Sequence, residues 1–261
     1  MRTTAIATLA LFILAIPSSS DERKSFRNLQ WRYPRVRVAS KEKDEVLRQR
    51  FKEKGVAYPP RAILLRAFKK EALLELWATD AESKPYVLLH EYRICASSGV
   101  YGPKRRFGDE QVPEGFYELD WFNPQSNFYL SLHVNYPNAS DRILGSRQNP
   151  GGDIFLHGNC ASIGCIPVTD DGIKEVYWLA VLVHNEGKQH LPIEIFPARL
   201  TDDGFKALAA AHQNAPALLA FWTNLQQGFD LFEKSHLLPR IKTRADGAYL
   251  FSEAMSPAAG R

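Results

Sequence analysis

The stretch "FLHGNCASIGCIPVTDDG", Phe155–Gly172, carries one histidine, two cysteines, one serine and three glycines in eighteen residues. Three chemistries compete for it. Zinc takes His and Cys ligands, commonly as a close pair matched by a second pair elsewhere. Here His157, Cys160 and Cys165 stand at offsets of three and five and no partner pair follows; His184 and His190 fall at a helix end and in a charged turn. No metal is expected. A Cys160–Cys165 disulfide would close a very short loop, for which chain entropy supplies little stabilisation. The third chemistry is a thiol nucleophile with its base. His157 ends a strand, Gly164 makes a sharp turn, and Cys165 leads toward a helix whose positive N-terminal end lowers a thiol pKa. Backbone N–H groups around Gly164 can face a developing oxyanion. For any one of these residues alone, an inert core role is the plainer reading. Together they point to Cys–His acyl transfer. Cys160 sits mid-loop with no activating partner, and Cys95 reads as a core residue at a strand end.

Working outward, "TDDGIKEVYWLAVLVH" has Thr169 or Asp170 as N-cap and a stripe of Ile173, Val176, Tyr177, Ala180 and Val183, which predicts a helix. "LPIEIFP" reads as a strand. Upstream, "RAILLRAF" and "ALLELWA" predict a hairpin, and "YVLLHEYRIC" a strand with Leu88, His90, Tyr92 and Ile94 on one face. "SSGVYGPKRRFGDEQVPEG" is a long loop punctuated by glycine and proline. "FYELDWF" and "FYLSLHVNY" are strands about the turn "NPQSN", and "DIFLH" is a short strand. Past Thr201 the pattern is helical, with Trp222, Leu225, Phe229 and Phe232 on one apolar side. "IKTRADGAYLF" suits a hairpin around Asp246-Gly247. Near the start, "KEKDEVLRQRFKEKGV" predicts a short charged helix with Val46 and Phe51 on one side and Gly55 as its stop.

The whole chain has 261 residues, 45% hydrophobic and 24% charged, with a net charge of +4. That composition describes a soluble globular protein and gives no sign of a nucleic-acid binder. Eight Lys/Arg lie between Arg23 and Lys43, which reads as a solvated leader. Arg2, the apolar run Ala5–Ile16, Pro17 and Ser18–Ser20 describe a secretory signal. The run is short of the roughly 20 residues a bilayer span needs, so no stable membrane span is expected once the signal is removed. A retained anchor is the alternative, because the exit is not a clean A-x-A. The chain is thus expected to be exported, to the periplasm or cell envelope. In an oxidising compartment three cysteines leave at least one thiol over.

"HGNCASIGCIPVTD" resembles the HG…S-x-G-C signature of the L,D-transpeptidase (YkuD-like) catalytic domain family. "GPKRRFGDEQVPEGFYELDWFNPQSNFYLSLHVNYPN" is similar to the segment before that signature in the subgroup of murein transpeptidase-like proteins and a peptidoglycan–lipoprotein amidase. "FWTNLQQGFDLFEK" resembles the subgroup's C-terminal extension. The resemblance implies an α+β fold, a mainly β catalytic domain of mixed sheets with one helix after the nucleophile and helical extensions at both ends. It makes Cys165 the nucleophile and His157 the base, with Ser162, Gly164 and Gly158 supporting the turn and the oxyanion. The base's second nitrogen is typically held by a backbone carbonyl. Two positions depart from the commonest motif: Ile163 stands where a histidine is usual, and Ile166 where a polar residue or Arg is usual. The His157–Cys165 interval is also short. The named subgroup shares all three departures.

On that resemblance the chain divides into a signal peptide (1–20), a basic leader and short helix (21–57), the catalytic domain (58–197) and a helical C-terminal extension with a hairpin (198–261). The implied reaction is attack on a stem-peptide carbonyl at diaminopimelate through a Cys165 thioester, with no cofactor. An amine acceptor makes the enzyme a transpeptidase. A water acceptor makes it an amidase or carboxypeptidase, for example on a wall-attached lipoprotein. A non-catalytic wall-binding module is the rival of a different class. His133, Asn135 and Tyr136 border the implied cleft as candidate substrate contacts, each with a purely local reading beside it. Lys104 to Arg106 read either as contacts for anionic or peptide groups or as a solvated loop.

Overall fold

In the computed structural model, which describes residues 26–189 and 191–254, one eight-stranded mixed sheet organises the chain. The expected signal and His190 lie outside the described residues. The strands are β1 (Ala62–Phe68), β2 (Leu73–Thr79), β3 (Val87–Arg93), β4 (Gly115–Asn123), β5 (Ser131–Val134), β6 (Phe155–His157), β7 (Ile166–Pro167) and β8 (Leu191–Phe196), in the order β3-β2-β1-β8-β4-β5-β6-β7. The pairs β1/β8 and β6/β7 are parallel and the others antiparallel, and the short helix α2 (Ala139–Leu144) follows β5.

Strand β1 is buried along its whole length, and its alternation assigns side chains to two cores. Ile63, Leu65 and Ala67 face a core shared with α3 (Asp170–Asn185). Leu64 and Phe68 face the opposite side, where α5 (Pro216–Ser235) supplies Trp222, Leu225, Phe229 and Phe232. α4 (Asp202–Ala211) joins that second core through Leu208. The hairpin β9 (Arg240–Thr243)/β10 (Tyr249–Ser252) joins it through Tyr249. Arg66 points the same way and is fully buried, with its Nε 2.8 Å from Glu194 and its Nη1 2.5 Å from Glu233.

The helix expected after Cys165 starts where its cap predicts: Thr169 Oγ1 accepts from the Gly172 N–H at 3.1 Å. Its stripe of Ile173, Val176, Tyr177, Ala180 and Val183 is fully buried, and so are Trp178, Leu179 and Val181 on its flanks. The reason is a second covering layer. The leader is not a solvated segment but α1 (Pro34–Lys54), 21 residues ending at Gly55 with φ +68°, preceded by helical residues 26–31. Its buried face is Val36, Ala39, Lys43, Leu47 and Phe51, while Val46 is exposed. Lys43 can lie on that face because Asp171 and Glu175 of α3 stand 2.6 and 3.6 Å from its ammonium. Arg50 pairs with the same Glu175. Lys43, which reads as solvated in isolation, is here a docking contact, while Arg27, Arg32, Arg35 and Lys41 stay exposed.

Two β-bulges alter the expected facing. In β3 the register shifts opposite Leu76/Trp77, so Leu89, Tyr92 and Ile94 share the α3-side core while Leu88 packs on the other side. In β4 the register shifts between Leu119 and Trp121. An extra residue in one strand reverses the inside–outside alternation beyond it.

Candidate active site

Successive side chains of one face in β6 are Phe155 and His157, so the antiparallel partners of those residues line up in rows across the sheet. His157 pairs with Ser131 of β5, which pairs with Asn123 of β4. All three line a cavity of about 630 Å³ at this end of the sheet. Ser162 and Cys165 line it too, and its wall includes Lys104, Phe107, Phe128, Asp153 and Ile163.

His157 is 1% exposed. Its Nδ1 lies 2.5 Å from the Gly158 carbonyl, and its ring stands against Phe128 with centroids 4.6 Å apart. A carbonyl only accepts, so Nδ1 carries the proton and Nε2 keeps its lone pair. Burial lowers the imidazole pKa, and the bond to the Gly158 carbonyl offsets part of that. The side chain is therefore a neutral, oriented proton acceptor near pH 7. Gly158 is small for a reason: a Cβ there would fall 2.6 Å from Asp170 Oδ1. That same oxygen accepts the Asn159 N–H at 2.8 Å, which fastens the loop after the histidine to the first turn of α3.

Cys165 is the free thiol among the described cysteines. It does not sit at a helix N-terminus, because β7 intervenes and α3 starts only at Asp170. The dipole expected to lower its pKa is not what the thiol feels. Burial pushes the thiol up, the Phe155 amide pulls it down, Asp153 pushes it up and Lys104 pulls it down, with a net rise. At rest it is a thiol, donating to the Asp153 carbonyl at 3.6 Å.

The turn before it is held by Ser162. Its Oγ accepts the Gly164 N–H at 3.2 Å and donates to the Cys165 carbonyl at 2.8 Å, and Ser98 Oγ lies 3.2 Å away. Gly164 has φ +125°, a conformation closed to other residues without strain, and the Gln111 carbonyl is 3.1 Å from where a Cβ would be.

Cys160 and Cys95 are joined in a disulfide across 65 residues. This corrects the reading of Cys95, which is not simply core, and explains Cys160, for which the sequence showed no activating partner. The link ties the end of β3 to the loop between His157 and Cys165. Spacing within the signature held no trace of it, because the partner lies outside the signature. It also removes Cys160 from any metal set, and among the described residues no group of three or more His, Cys, Asp or Glu is arranged to hold a metal ion.

His133, Asn135 and Tyr136 fall outside the cavity wall. Asn135 Oδ1 accepts the Glu118 N–H at 2.9 Å. Tyr136 is buried, and its hydroxyl donates to the Pro150 carbonyl at 3.0 Å and reaches the Lys104 carbonyl at 3.3 Å. His133 Nδ1 lies 2.6 Å from Asp120 Oδ1. Lys104 departs from the solvated-loop reading: it is 4% exposed and is held by Asp109 and the Arg106 carbonyl.

The chain matches the model of the YkuD family, the L,D-transpeptidase catalytic domain, over residues 68–184. It is 33% identical over 196 residues to the L,D-transpeptidase-like protein YafK of Escherichia coli, covering 74% of this chain and 75% of that one. Among solved structures it is similar to the helical cell shape determining protein Pgp2 of Campylobacter jejuni, at 18% identity, 69% and 71% coverage and a TM-score of 0.41. Bd1075 of Bdellovibrio bacteriovorus follows at 21% identity, 71% and 77% coverage and a TM-score of 0.38. At those scores the two structural likenesses carry no argument about activity.

Proposed function

The chain belongs to the L,D-transpeptidase catalytic domain family, and from that premise we propose that it is an exported cysteine acyltransferase. Its substrate on this reading is a peptidoglycan stem peptide, attacked at diaminopimelate. The observation that carries the reading is the pairing, in one cavity, of a neutral His157 whose Nε2 is unprotonated with the thiol of Cys165.

The steps follow from those protonation states. As Cys165 Sγ bonds to the stem-peptide carbonyl carbon, its proton passes to His157 Nε2. The carbonyl π electrons move to oxygen, and on this reading backbone N–H groups of the 162–165 turn receive that charge. The Gly164 N–H takes part only once it leaves Ser162 Oγ, to which it is bonded at rest. The C–N bond then breaks, the imidazolium gives its proton to the leaving amine, and a thioester remains. The acceptor loses a proton to His157 as it attacks the thioester, and the departing thiolate is reprotonated. An amine acceptor yields a cross-link, and water yields a trimmed stem. Burial of the pair favours this proton-shuttling sequence over a preformed thiolate–imidazolium pair, since both groups are shifted toward their neutral forms.

Incubation of the mature protein with purified muropeptides, followed by product analysis, tests the proposal. Cross-linked dimers identify a transpeptidase; trimmed monomers, or diaminopimelate released with an attached lipoprotein, identify a hydrolase. Cys165→Ala should reduce turnover by at least about a thousandfold and abolish the covalent adduct with a carbapenem. Full activity in Cys165→Ala ends the reading, and a wild-type protein that turns over no muropeptide yet binds them supports the wall-binding module.

A further inference from the structure

The row next to the His157 row is aromatic. Trp121 of β4 pairs with His133 of β5, which pairs with Phe155 of β6. These residues lie two positions along each strand from Asn123, Ser131 and His157, and so on the same face. Trp121 reaches that face because of the bulge in β4. Unbroken alternation from the buried Leu119 would turn residue 121 inward; instead Phe122 takes the inward place and Trp121 is left 54% exposed. An irregularity that turns the largest side chain out of the core is a device for aiming it. Its ring stands 6.0 Å from that of Phe155, and His133 lies 5.1 Å from the same ring. Asp120, the residue at the bulge, is also exposed and holds His133 at 2.6 Å.

The row is continuous with the cavity, since Phe155 belongs to both. What it offers is the exposed indole of Trp121, inclined at 63° to the Phe155 ring, beside a fixed pair of hydrogen-bonding groups. Pyranose rings present the matching surface: one face of C–H groups and a rim of hydroxyls. A charged or extended peptide would instead want backbone partners along a strand edge.

From this geometry we infer that Trp121, Phe155 and the His133–Asp120 pair form a subsite for an amino-sugar ring of a glycan strand. The inference rests on the reading above, in which the reacting stem peptide is borne on such a glycan. Distance supports it. Two strand spacings and one residue pair put Trp121 roughly 12 Å from His157, and a stem of three extended residues reaches about 10–11 Å. A stem peptide entering the cavity would leave its sugar over the aromatic row.

The test is titration of an N-acetylglucosamine hexamer, with the indole N–H resonance of Trp121 followed by NMR and assigned from its loss in Trp121→Ala. The resonance should shift in the wild type and in Cys165→Ala alike. Trp121→Ala, an exposed substitution, should weaken hexamer binding about tenfold. The same change should lower about tenfold the ratio of kcat/KM for a disaccharide-bearing stem peptide over the sugar-free peptide. Wild-type hexamer affinity in Trp121→Ala overturns the inference. So does a sugar-free tripeptide that shifts the Trp121 resonance as strongly as the hexamer, which would make the row a peptide face. Hexamer binding needs no chemistry, so inactivity of the wild type on stem peptides would end the acyl-transfer reading without touching this result.

Discussion

The two ends of the main sheet are built on different terms. At one end β1 and β2 run seven residues each, pair in unbroken register and are buried on both faces. At the other end β5, β6 and β7 shrink to four, three and two residues. Left-handed backbone gathers there as well, at Tyr129, Asp153 and Asn159 and at Gly151 and Gly164. The long end gains stability from apolar area and ladder hydrogen bonds. The short end buries one face, through Leu132, Val134, Leu156 and Ile166, has few ladder hydrogen bonds, and is further held by discrete fasteners: the Cys95–Cys160 disulfide, Asp170 on Asn159, and Ser162 on the Cys165 turn. Backbone held in sparsely populated regions tends to mark functional sites, provided the surroundings over-determine it. Here the regular end and the fasteners do so.

Perturbing each end separately sharpens the contrast. At the regular end, Arg66→Ala strands the buried Glu194 carboxylate without its 2.8 Å partner. A loss of about 3–5 kcal/mol is expected in denaturant unfolding, with turnover per folded molecule retained. At the fastened end, replacing Cys95 and Cys160 by Ser removes the 65-residue cross-link and should cost about 2–4 kcal/mol. Unlike Arg66→Ala it should also lower turnover, and equal turnover in the two variants would erase the distinction between the ends. The smallest effect is the pH profile. Because burial holds His157 below its ordinary 6.5, kcat/KM should fall about tenfold per pH unit only below that value. Because burial holds Cys165 above its ordinary 9.0, the alkaline limb should lie beyond it. A rate falling already between pH 7 and 8 would mean that the thiol ionises early.

Much of the site was legible because its signals are local. His157, Gly164 and Cys165 lie within nine residues, and the cap at Thr169 is four residues from the thiol. What misled was also local. The closeness of Cys165 to a helix suggested a dipole effect, and only the intervening β7 shows the thiol to be out of its reach. Lys104 looked like one more loop cation until Asp109 and Tyr136 closed around it.

Taken alone, the sequence determined most strands and helices, the Thr169 cap and the order His157, Gly164, Cys165, since periodicity and capping act over a few residues. The tertiary structure decided what depends on distant partners. It joined Cys95 to Cys160, buried Lys43 against Asp171, and brought the Trp121 row beside the His157 row. Those outcomes follow from burial and cross-strand register, which arise only when segments far apart in the chain exclude water together.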